Sequence, residues 1–173
     1  MTYFLLLFCI KVAHQLPLHI LLARKGKGVQ TAGLAILRAT ARDARLQKDG
    51  FGYLAISYAV ENGYFPIFRE CLAFFALPQL KWRHERTGNC LVHLAAFKRN
   101  LEILTYLSVE FHINMNVQND DGQTPLHIVT TLGDEMMVRM MKSFGADANI
   151  VDSSEQTPVS SYVLVQVIVA IYQ

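Results

Sequence analysis

Between Gly122 and Asn149 the apolar residues fall into two short bursts, each fenced by residues that start or stop helices. Leu126, Ile128 and Val129 belong to the first burst; Met136, Met137, Met140 and Met141 make the second. Thr124 suits the cap of the first helix. Pro125 suits its opening turn, because proline lacks only an N–H that finds no partner there. Gly133 supplies the left-handed residue that stops this helix, Asp134 caps the next, and Gly145 ends that one. Two short antiparallel helices cannot bury an apolar face alone, so the pattern predicts stacked neighbours.

The neighbours are present in the sequence. Gly88-Asn89-Cys90-Leu91-Val92-His93-Leu94-Ala95-Ala96 occupies the same frame 34 residues earlier, with His93 at the place of His127 and Gly88 at that of Gly122. Leu101, Ile103, Leu104 and Leu107 supply its second helix, and Asn116 stands 33 residues before Asn149. Thr157-Pro158 opens another copy 33 residues after Thr124. Gly52 to Leu72, clearest at Ala59-Val60-Glu61-Asn62-Gly63, fits a degenerate copy 36 residues before the one at Cys90. With Thr124-Pro125-Leu126-His127, Gly133 and Gly145-Ala146-Asp147 followed by Asn149, the chain closely resembles the ankyrin-repeat family. The resemblance implies an all-α ankyrin-repeat solenoid of stacked helix-turn-helix units joined by β-hairpin-like turns.

In that frame residues 1–28 form an apolar N-terminal segment, 29–50 a partial first repeat, and 51–86 a degenerate repeat. Residues 87–120 and 121–153 are repeats, and 154–173 are a truncated terminal repeat with an apolar tail. The 173 residues suffice for four or five repeats sharing one core. Charged residues make up only 17%, against roughly 25% in a typical soluble domain. Their distribution matters more than their number. Residues 1–90 hold 12 Lys/Arg against 5 Asp/Glu, whereas residues 91–173 hold 4 against 9. Such polarity steers partners of opposite sign, and a basic partner would be drawn to the C-terminal half. Cys9, Cys71 and Cys90 form no disulfide framework, which favours a reducing compartment. A cytoplasmic location is expected, with the nucleus as the alternative and a host cell as the setting if the protein is viral.

Residues 1–28 admit three readings. Tyr3–Ile10 and Leu16–Ala23 are apolar, but Lys11, His14 and Gln15 divide them. A cap or degenerate repeat is preferred, since Pro17-Leu18-His19 echoes the repeat core. A membrane contact would run through residues 3–23, flanked by Arg24, Lys25 and Lys27, and a cleaved leader is the third reading. Gly26-Lys27-Gly28 lacks the spacing of a phosphate loop. Val29 to Gln47 reads as a helix with Leu34, Leu37 and Ala41 on one side and Arg38, Arg42 and Arg45 elsewhere, ending near the Asp49-Gly50 turn. Its basic residues read as a solvated face, and direct nucleic-acid binding is not expected. In the degenerate repeat, Leu54, Ala55 and Ser57 replace Thr, Pro and His, and Pro66 falls in the first turn of a broadly apolar helix. A longer link, Ala76 to Thr87, then holds Trp82, beside Arg83, His84 and Arg86; Trp82 is either an interface anchor or a pin for the link. The tail from Tyr162 to Tyr172 is apolar and β-branched, so self-association through it is an open reading.

Chemistry finds little support. His93 and His127 hold equivalent positions, and the resemblance makes that histidine a structural tie between repeats. His84-Glu85 lacks the spacing of a zinc-binding helix, and Cys90 with His93 lacks an orienting third group. The methionine cluster reads as core filler. No enzyme activity, cofactor or metal is expected.

What remains is recognition of a protein partner. Carried over position by position, the resemblance implies exposed binding residues at Arg86, Asn89, Phe97 and Lys98, then Asn119, Asp120, Asp121 and Gln123. Thr130, Thr131, Asp152, Ser153 and Glu155 follow, with Trp82 added as a candidate anchor. Leu126, Ile128, Val92 and Leu94 are assigned to scaffold. Within the family the chain resembles the I-kappa-B-like ankyrin proteins carried by viruses of parasitoid wasps. That likeness implies an inhibitor that holds NF-kappa-B/Rel dimers from DNA. The alternative is an ankyrin adaptor for another protein, tethered to a membrane if the N-terminal segment serves as anchor.

Overall fold

The structure, a computed structural model, describes residues 17–26, 28–40 and 46–160. The expectations for Ala41, Arg42, Arg45, Lys27, residues 1–16 and the tail from Tyr162 onward lie outside the described residues. Among the described residues there is no strand; the helices are α1 (Pro17–Leu22), α2 (Val29–Ala39), α3 (Ala55–Asn62), α4 (Phe65–Leu80), α5 (Leu91–Phe97), α6 (Leu101–Phe111), α7 (Pro125–Thr131) and α8 (Glu135–Ser143), and residues 158–160 are helical too. None is long and apolar enough to cross a membrane. The chain divides into two compact units, one ending at His84 and the other beginning at Glu85.

In the first unit α1 packs on α2 and α3, and α4 packs on α2 and α3. Leu18, Leu22, Leu37, Ile56, Ile67 and Phe68 are buried together as its core. Gly33 lies on α2 where a methyl group would stand 2.7 Å from Ile67 Cδ1, so its lack of a side chain lets the helices approach closely. Helix α2 is shorter than the sequence predicts. It ends at Ala39, where Thr40 turns extended (ψ 132°) and its hydroxyl donates to Ile36 O at 2.6 Å. No glycine or proline marks that stop, and a threonine that bonds its own helix is an inconspicuous signal.

Helix α4 errs in the other direction. It continues through Pro78 to Leu80, so the expected link from Ala76 shrinks to the residues after Leu80. The buried Gln79 side chain donates to Cys71 O at 2.9 Å and supplies a bond at the end that the proline weakens. Beyond it, Trp82 and His84 fold back onto the turn at Asp49–Tyr53. The Trp82 indole donates to Gly52 O (3.0 Å), His84 Nε2 donates to Phe51 O (3.1 Å), and the Tyr53 ring lies 4.6 Å from that of His84.

In the second unit α5 pairs with α6, α7 pairs with α8, and α5 stacks on α7. Leu91, Ala95, Ile103, Leu104, Leu107, Leu126 and Val129 form the core. The methionines divide by helical spacing: Met137 and Met141, four apart, are buried, while Met136 is 63% exposed. The filler reading therefore holds for the inward pair and fails for Met136. Asp134 caps α8 by accepting from Met137 N at 3.1 Å, and Gly133 (φ 69°) breaks the chain between α7 and α8 as expected.

Candidate protein-interaction surface

The second unit is tied together at two histidines. The Nδ1 atom of His127 accepts from the backbone N–H of Thr124 (3.1 Å), which leaves the proton on Nε2, where it is donated to Gln156 O at 3.0 Å. His93 repeats the arrangement with Cys90 N (3.3 Å) and Gln123 O (3.0 Å). Each ring therefore caps its own helix and holds the first turn of the following repeat. Ser57 takes this place in the first unit; it is buried and its hydroxyl makes no hydrogen bond. Cys90 Sγ lies 3.0 Å from His93 Nδ1 and occupies the position of the Thr124 hydroxyl, so both residues are accounted for by the cap. Among the described residues no three His, Cys, Asp or Glu side chains gather as a metal site requires.

The turns that follow are built alike. Asn119 N donates to Gln123 O (3.0 Å), and Asp152 N donates to Gln156 O (2.9 Å). Adjacent tips are joined by backbone bonds, Asp120 N to Thr87 O (3.1 Å) and Ser153 N to Asp121 O (3.0 Å). Asn119 also donates its side-chain amide to Asn89 Oδ1 at 2.9 Å. This ladder fixes the side chains facing the helices, and between tips and helices lies an open groove of about 280 Å³.

The groove brings together six of the residues the sequence singles out: Asn89, Phe97, Asn119, Asp121, Gln123 and Thr131. Phe97 is 56% exposed, and Lys98 Nζ sits 5.4 Å from its ring centre. Asp121 carries the only charge in the lining among the described residues. Thr87, Ile128 and Leu132 also line it. Ile128 was expected to be scaffold, yet it is half-buried, as is Leu94, whereas Val92 and Leu126 are buried. Periodicity cannot separate a core position from a groove wall when both are apolar and one residue apart.

The remaining candidates stand elsewhere. Arg86 and Asp120 are exposed, as are Ser153 and Glu155 on the last tip. Asp152 is half-buried and turned into its own loop, its Oδ1 accepting from Ser154 N (2.8 Å) and Gln156 N (3.0 Å). Two candidates are corrected. Trp82 is 4% exposed and pins the first unit's turn, so it is no surface anchor. Thr130 is buried and its hydroxyl is bonded to Leu126 O (2.7 Å), which draws it back into its helix. One exposed aromatic went unnoticed in the sequence: Phe51, 58% exposed on the turn that Trp82 and His84 hold.

Comparison with known proteins agrees with this architecture. A family model described as ankyrin repeats, three copies, matches residues 92–163. An ankyrin repeat protein of fowlpox virus (strain NVSL) is 31% identical over 100 residues, covering 53% of this chain and 53% of its own length. A second fowlpox virus ankyrin repeat protein is 32% identical over 99 residues, or 57% of this chain and 22% of its own. The mouse nuclear factor NF-kappa-B p105 subunit is 28% identical over 116 residues, which is 66% of this chain and 12% of that protein. The chain thus spans about half the length of the first of these relatives and far less of the other two.

Proposed function

We propose, on the premise that this is a chain of ankyrin repeats, that it acts without catalysis by binding a protein partner in the groove of its second unit. The observation that carries this reading is the meeting of six surface candidates around one open groove. Ordered tips joined by backbone bonds keep those side chains in place before a partner arrives, which lowers the entropic cost of binding.

The partner we infer is an NF-kappa-B/Rel dimer, held from DNA in the manner of an I-kappa-B-like inhibitor. Two points support it: similarity to the NF-kappa-B p105 subunit across 66% of this chain, and the carboxylate of Asp121 in the groove with the exposed Asp120 next to it in sequence, which suit a basic surface. The inhibitor would work in the cytoplasm, with the nucleus as the other site of action. Capture of purified Rel dimers at low and moderate salt tests it, beside an Asp120→Lys/Asp121→Lys variant. Salt-sensitive capture that the variant loses is the expected result. A folded protein that captures no Rel dimer at either salt would leave the second reading, an adaptor for a different protein, which rests on the likeness to two fowlpox virus ankyrin repeat proteins.

A further inference from the structure

The turn of the first unit presents something that the turns of the second do not. By hydrogen-bond register, Asp49–Tyr53 corresponds to Asn119–Gln123 and Asp152–Gln156, so Phe51 stands where Asp121 and Ser154 stand. The turn is strongly held. Asp49 Oδ1 accepts from Phe51 N and Tyr53 N (both 2.9 Å), its Oδ2 accepts from the Tyr58 hydroxyl (2.6 Å), and Trp82 and His84 bond the carbonyls of Gly52 and Phe51. All this order supports a phenyl ring left 58% in solvent. In sequence Lys48 precedes this turn, and Lys81 and Arg83 flank Trp82, which bonds it; all three are exposed, as is Glu85, while the Asp49 carboxylate is turned inward and 6% exposed.

The groove of the second unit is the complement of this knob. Phe97, Ile128 and Leu132 give it apolar walls, Asp121 gives it a negative rim, and its volume is about 280 Å³. The balance of charge agrees: residues 1–84 hold 11 Lys/Arg against 4 Asp/Glu, and residues 85–173 hold 5 against 10. An exposed aromatic ring on an ordered turn of the basic part of the chain and an apolar groove with a carboxylate in the acidic part stand on the same sequence.

We propose that the Phe51 turn of one molecule docks in the Asp121 groove of a second copy. Knob and groove are different patches, so each contact is heterologous, and its repetition builds a chain or a closed ring, of which two copies exchanging knobs is the smallest. Opposite charges bring the copies together, and burial of the ring against Phe97, Ile128 and Leu132 holds them. The self-contact occupies the groove assigned above to a partner and would compete with it. It needs the groove but not the Rel reading, so the two can fail separately.

Light scattering or sedimentation of the full chain tests this, using Phe51→Ala and Asp121→Lys, both exposed positions, with circular dichroism to verify folding. The wild type should gain average mass with concentration at low salt and lose it at ~0.5 M salt, where screening acts within a few ångströms. Each variant should associate about tenfold or more weakly. Mixed in equal amounts, they should form a species capped at two copies, because Phe51→Ala keeps the groove and Asp121→Lys keeps the knob. A wild type that stays monomeric, association unchanged in both variants, or a mixture that yields no dimer would each overturn the proposal.

Discussion

His93 Nε2 donates to the carbonyl oxygen of Gln123 at 3.0 Å, joining a helix start to the turn of the repeat that follows it. His127 and Gln156 repeat the bond at the same length. Replacing His127 by Ala removes this bond and the one to Thr124 N, stranding the N–H of the buried Thr124 and the carbonyl of the half-buried Gln156. The expected loss is about 2–3 kcal/mol. Urea unfolding of His127→Ala against the wild type measures it, and a change within error would mean that water replaces the ring without loss.

Gly122 and Gly145 are both left-handed, at φ 73° and 88°, but their surroundings differ. A Cβ on Gly122 would lie 2.6 Å from Ser153 N, whereas nothing approaches within 4 Å of one on Gly145. Gly145→Ala should therefore cost about 1 kcal/mol, the strain of the conformation alone. Gly122→Ala should cost at least about twice that, since the backbone bond between tips must also give. Equal losses in denaturant melts would refute the steric part.

His112 and Arg99 take the same left-handed conformation (φ 48° and 55°) with side chains attached. His112 is exposed, and His112→Gly should raise stability by up to about 1 kcal/mol. Arg99→Gly should gain little, because Arg99 Nη2 donates to Leu132 O (2.9 Å) and Nε lies 3.8 Å from Asp134. Thermal midpoints of the two variants should move differently; equal shifts would show that Arg99's contacts contribute nothing.

His19 is buried on α1, its ring edge-on to Tyr58 at 6.0 Å. Burial pushes its pKa below the ordinary 6.5, outweighing the Asp49 carboxylate and the backbone near Tyr53 and Gln47, which act the other way. The unfolded chain therefore binds this proton more readily than the folded one. Its contribution to stability is full above pH ~6.5 and falls as pH drops toward the folded value. Denaturant midpoints at neutral and mildly acidic pH should fall less for His19→Gln than for the wild type. An identical fall in both would exclude His19 as the source.

The repeats were legible because their signals are local and periodic. Thr124 with Pro125, Gly133 and Asp134 each name a helix end, and spacing alone aligned His93 with His127. The first unit was harder because its marks are substituted: Leu54 and Ser57 where Thr and His would stand, and Thr40 ending a helix by a bond to its own turn. The groove is lined by tip and helix positions that the sequence singles out, yet sequence could not separate Ile128, a wall, from Leu126, a core residue. Trp82 stayed open between anchor and pin, and Phe51 drew no notice, for a related reason. Which of two aromatics faces water depends on the bonds from Trp82 to Gly52 and from His84 to Phe51, which link residues 30 and 33 positions apart in the chain.

The same indole offers an optical consequence. Trp82 is the only tryptophan in the chain and sits in the first unit. Emission excited selectively from tryptophan therefore comes from one half of the molecule, while the peptide signal of circular dichroism averages over both. Melting curves that coincide by the two readouts would describe a single cooperative molecule. Curves that separate would time the collapse of the basic half against that of the acidic half, with no label added.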